Sequence, residues 1–110
     1  MRISDKDKKG IITSLISSAK SLKIELIQII LFGSRVDDDK LGGDIDLLIE
    51  IDDPLKTNTS PEEIIKKFKL DLELNVEEQK IDLVIDWPGN NNNNFINLIR
   101  SKKTEVLWKR

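Results

Sequence analysis

The chain of 110 residues has no cysteine and no histidine. Without cysteine there is no disulfide framework and no thiolate zinc site. Without histidine, imidazole acid–base catalysis and histidine metal ligation are excluded. A surplus of charge of one sign is missing too, since 18 basic residues stand against 20 acidic ones, a formal net charge of −2. A dedicated nucleic-acid-binding module is expected to carry a basic patch, and this balance argues against one. No apolar run approaches the ~20 residues a membrane span needs. The opening MRISDKDKKG is polar and no signal peptide follows it, so a cytoplasmic location is expected. What remains is 38% hydrophobic and 35% charged. That composition suits a soluble globular chain, and the length suits one small domain over residues 1–110.

The most specific stretch is LIQIILFGSRVDDDKLGGDIDLLIEI, residues 26–51. Ile27–Phe32 is an apolar, β-branched run of strand length. It stops at Gly33-Ser34. Glycine allows a sharp turn and the close approach of another group, serine can cap a following helical turn, and backbone N–H groups at such a turn favour a phosphate. A second strand, residues 44–51, opens with Asp44-Ile45-Asp46. Side chains alternate along a strand, so Asp44 and Asp46 share one face, about 7 Å apart. Two carboxylates so placed repel unless a cation lies between them, and hard oxygen ligands suit Mg²⁺ or Mn²⁺.

Around this stretch the chain reads in order. Residues 4 to about 23 predict an amphipathic helix capped by Ser4, with Ile12, Leu15, Ile16, Ala19 and Leu22 as its stripe and Gly10 as a weak point. The run Asp37-Asp38-Asp39-Lys40 predicts a solvated loop, and Gly42-Gly43 gives flexibility ahead of the Asp pair. Ser60-Pro61-Glu62-Glu63 is a helix start, with Ile64, Ile65, Phe68 and Leu72 as the apolar face. Phe68, Leu70, Leu72, Leu74 and Val76 also alternate as a strand would. The start signal and the Lys, Glu and Leu content favour helix to about Asn75. Lys80–Asp86 predicts a third strand with Asp82, Val84 and Asp86 on one face, and Trp87-Pro88-Gly89 stops it. Asn90–Asn94 predicts a surface loop whose last Asn caps a helix to about Lys102 that buries Phe95, Ile96 and Ile99. Glu105–Trp108 closes the chain as a short strand, with Trp108 packing on the core or on a partner.

A strand, Gly33-Ser34, nine residues and Asp44-Ile45-Asp46 resemble the signature of the nucleotidyltransferase superfamily that includes polymerase β and kanamycin nucleotidyltransferase. The wording LFGSR…GGDIDLLIE is most similar to the minimal nucleotidyltransferases, many of which are antitoxin partners of HEPN proteins. The resemblance covers roughly residues 26–86. The residue before the first Asp, often Ser in the family, is Gly43 here, and Asp38 stands where the family often has Gly.

The resemblance implies an α/β (α+β) fold, a small mixed sheet of three to four strands flanked by helices. It implies two Mg²⁺ ions (or Mn²⁺) held by Asp44 and Asp46, a third carboxylate at Asp82 with Asp86 as fallback, and β,γ-phosphates of ATP held at Gly33 and Ser34. It also implies a HEPN toxin as protein acceptor of AMP. Two rivals stand beside it. In one, the chain neutralises a partner by contact alone. In the other, it is a nucleotide-binding subunit acting on RNA ends, which the acidic balance disfavours.

Overall fold

A computed structural model describes residues 3–36, 44–76, 80–90 and 93–110. The run 37–40, Gly42-Gly43 and Asn91-Asn92 therefore lie outside the described residues. The elements follow the chain as α1 (Asp5–Leu22), β1 (Leu26–Phe32), β2 (Ile45–Ile51), α2 (Pro61–Asn75), β3 (Ile81–Asp86), α3 (Asn93–Arg100) and β4 (Glu105–Lys109), with 3-10 turns at Gly33–Val36 and Pro54–Thr57.

Local chemistry sets the helix ends. The Ser4 hydroxyl accepts the Asp7 N–H at 3.1 Å, and Asp5 and Asp7 place negative charge at the N-terminal end of the dipole. Lys23 closes α1 in the left-handed region, φ 60°. Ser60 accepts the Glu63 N–H at 3.2 Å and Pro61 opens α2. The helix-or-strand conflict resolves as helix: Phe68, Leu72 and Val76 are buried at four-residue spacing, whereas Leu70 and Leu74 are 52% and 74% exposed.

The four strands form one mixed sheet in the order β3-β2-β1-β4. β1 pairs antiparallel with β2 and β4, and β2 pairs parallel with β3. The expected mixed sheet flanked by helices is what forms. One face carries Ile29, Leu31, Ile45, Leu47, Ile49, Ile51 and Ile85, packed with Ile11 and Leu15 of α1 and Ile64, Phe68 and Leu72 of α2. Trp108 is half-buried against this core. The other face carries Ile30 and Leu48, covered by Ile96 and Ile99 of α3.

Some expectations need correction. The buried stripe of α1 centres on Ile11, Ser14, Leu15, Ser18 and Ala19, with Ile12, Ile16 and Leu22 only half-buried. The two serines are small, so α1 can settle close to α2, and Ser18 Oγ donates to Asp71 of α2. Gly10 serves the same contact, since a Cβ there would come 3.0 Å from the Asn75 carbonyl oxygen. α3 begins at Asn93, so Asn94 lies inside the helix and does not cap it. Phe95 is 50% exposed, because Ile96 and Ile99 already fill the stripe that meets the sheet. Asp44 falls just before β2.

Candidate functional site

The face under α3 is where the chemistry-bearing side chains gather. Neighbouring residues in register project to the same side of a sheet. Phe32 of β1 pairs with Asp46 of β2, and Asp46 pairs with Asp82 of β3. A row therefore crosses three strands, apolar at one end and acidic at the other. Adjacent strands lie about 4.8 Å apart, so this row is roughly 10 Å long.

Gly33 stands at the end of β1, and its role is steric. Its φ is +80°, a region that side chains other than glycine rarely adopt. A Cβ built there would overlap Oδ2 of Asp46. The close approach expected of this glycine is thus to the carboxylate of the neighbouring strand. Ser34 follows in the 3-10 turn.

The carboxyl of Asp46 is raised from its ordinary value, first by its own burial and then by the charges of Asp82 and Asp44, with Lys80 opposing. Negative charge has been concentrated here, and a cation would relieve it. Asp44 is half-buried, and the Lys80 ammonium approaches its Oδ2 to 3.9 Å. Among the described residues, no three acidic side chains stand close enough together to hold one metal ion. The structure brings Asp46 and Asp82 side by side, while Asp44 faces a lysine. The donor set is all hard carboxylate oxygen, which fits Mg²⁺ or Mn²⁺ and not a soft metal.

Asp86, the fallback, is engaged elsewhere. It accepts from Arg100 at 3.1 Å and from the Trp87 N–H at 2.9 Å. Arg100 also pairs with Glu50, so this cluster ties α3 to β2 and β3. Lys80 is the site residue that sequence reasoning missed. Its only signal was a cation one residue ahead of a strand whose partner strand opens beside Asp44. A cleft of about 270 Å³ opens next to it, lined in part by Lys69, Glu73, Lys80 and Asp82.

The model of the nucleotidyltransferase domain family matches residues 12–108. The chain belongs to that family. Membership supports nucleotidyl transfer as the general chemistry of this transferase domain. The nucleotidyltransferase domain also resembles the crystal structure of a candidate nucleotidyltransferase from Sulfolobus solfataricus. The TM-score is 0.50 and the identity 19%, over 100% of this chain and 93% of that one, so the likeness is one of fold. No curated protein sequence matches this nucleotidyltransferase domain significantly. No helix among its described residues is long and apolar enough to cross a membrane.

Proposed function

We propose that this domain transfers AMP from ATP to a hydroxyl group of a partner protein, a HEPN-type toxin, and so acts as its antitoxin. The observation that carries the catalytic part is the pairing of Asp46 with Asp82 beside a glycine that leaves room for the Asp46 carboxylate. The protein acceptor and its HEPN identity rest on the resemblance of LFGSR…GGDIDLLIE to the minimal nucleotidyltransferases.

In this reading Asp44 and Asp46 would hold the divalent ions and Asp82 would hold one of them, which requires the three carboxylates to draw closer than the described side chains stand. Two divalent ions, when bound, lower the barrier by activating the attacking oxygen and neutralising the leaving group. Asp82 accepts the proton of the acceptor hydroxyl. The bond from that oxygen to the α-phosphorus forms as the bond from the α-phosphorus to the bridging oxygen breaks, and pyrophosphate leaves. Backbone N–H groups of the Gly33-Ser34 turn hold the β,γ-phosphates. Positioning and electrostatics carry the reaction, which accords with a chain lacking histidine and cysteine. Lys80, an exposed ammonium 3.9 Å from Asp44, would be a cation available to a phosphate oxygen.

The test is transfer of label from α-labelled ATP with Mg²⁺ or Mn²⁺ to proteins of the source cell lysate. The double variant Asp44→Asn/Asp46→Asn runs alongside. Label on one discrete protein with wild type, absent with the variant, is the expected result. The rival is neutralisation by contact alone. Absence of label, together with metal-independent binding to a partner, would decide for that rival.

A further inference from the structure

The apolar end of the row has a cleft of its own. It lies between the end of β1 and the outer side of α3, has a volume of about 210 Å³, and is lined by Phe32, Gly33, Phe95, Leu98, Ile99 and Lys102. Phe95 and Leu98 are about half exposed, at 50% and 52%. With Lys102 they recur at three- to four-residue spacing along one side of the helix and the turn after it. Gly33 belongs both to this cleft and to the wall of Asp46, so the cleft and the Asp46 carboxylate meet at this glycine.

We infer that this cleft is the nucleobase subsite of the donor nucleotide, with Phe95 as its stacking platform and Lys102 as a cation beside the phosphates. The inference rests on the nucleotidyl-transfer reading above. Three observations define the occupant. The cleft is smaller than the ~300–1,000 Å³ pockets that enclose drug-sized ligands, which suits one planar heterocycle and leaves the rest of the nucleotide outside. Its walls are apolar and aromatic, and base stacking on an aromatic ring tolerates any base. It also adjoins the turn proposed for the β,γ-phosphates and lies at the opposite end of the row from Asp82, the proposed proton acceptor. That places it on the donor side of the reaction. The ligand class is therefore a planar base with an anionic tail, which meets Phe95 and Leu98 at one end and Lys102 at the other.

The test compares binding of ATP with binding of inorganic tripolyphosphate, which lacks the base, both by calorimetry in Mg²⁺. Phe95→Ala is expected to weaken ATP binding by roughly 5- to 150-fold, the range of one lost stacking contact, and to leave tripolyphosphate binding unchanged. Phe95→Trp is expected to restore ATP binding. Lys102→Met is expected to weaken both ligands. Unchanged ATP affinity in Phe95→Ala would overturn the subsite while leaving the transfer reading standing. So would an equal loss of both ligands, or loss of partner association alone. Failure of the wild type to bind either ligand would overturn the transfer reading, and the subsite with it.

Discussion

The two faces of the sheet are built from the same strands and do different work. On the α1/α2 side, β2 contributes Ile45, Leu47, Ile49 and Ile51, all fully buried. On the α3 side the same strand contributes Asp46, Leu48 and Glu50, and only Leu48 is fully buried. One face can therefore hold the fold with little help from the other. This lets the second face carry a carboxylate pair that repels itself, a feature that destabilises and that a catalytic surface needs.

The comparison can be broken from either side. The largest effect is expected from Phe68→Ala on the apolar face, a loss of about 3–5 kcal/mol in denaturant unfolding, because Phe68 is fully enclosed. Comparable loss from a change on the α3 face outside the Ile30, Leu48, Ile96 and Ile99 cluster would undo the division of labour. Asp46→Asn should lower nucleotidyl transfer by about 10²–10³-fold. In metal-free buffer the same change should raise stability by an amount on the order of 1 kcal/mol or less, since the site is partly solvated. The sign follows from the raised carboxyl of Asp46. Its proton is bound more tightly in the folded state, so the favourable contribution is present below the unfolded value and is lost as pH rises through the folded one. A drop in thermal midpoint for Asp46→Asn would contradict it. Gly33→Ala should cost about 1–3 kcal/mol from the positive φ alone, and more from the overlap with Asp46.

Much of this division was legible in the sequence, for a simple reason. The alternation in IDLLIEI and IDLVID places the acids on one face wherever the strands lie. The caps at Ser4 and Ser60 fixed two helix starts, because a hydroxyl one position ahead of an acidic first turn has few other uses. What was not legible depends on neighbours remote in sequence. Phe95 reads as core by composition, yet α3 is short and Ile96 and Ile99 occupy the stripe that meets the sheet. Lys80 becomes a site residue only because β3 lies parallel to β2 and brings it against Asp44. Ser14 and Ser18 lie outside the apolar stripe expected of α1, and only the close crossing of α2 shows why small residues stand there.

Smaller effects sharpen the account of the α1/α2 side. Ser14 Oγ is buried with no hydrogen-bond partner among the described residues, so Ser14→Ala should stabilise by about 1 kcal/mol. Asp71 is held below the usual carboxylate range, first by the Ser18 hydroxyl and also by Lys67, against the opposing effect of burial. Its contribution is present above the unfolded value and is lost as pH falls through the folded one. Ser18→Ala should therefore lower stability at neutral and alkaline pH and leave it less affected at strongly acid pH, which flattens the acid limb of the stability curve. An unchanged acid limb would assign no role to that hydrogen bond.

The parallel pairing of β2 with β3 also has a kinetic consequence. Asp46 and Asp82 meet only after the whole of α2 has been laid down between them, and such non-local parallel contacts are slow to form. The hairpin of β1 and β2, by contrast, can close early. During refolding, regain of activity is therefore expected to follow the docking of β3 and to lag behind recovery of helical signal. On the ribosome, a nascent chain that has not yet released residue 86 would hold half of its carboxylate pair and none of its chemistry.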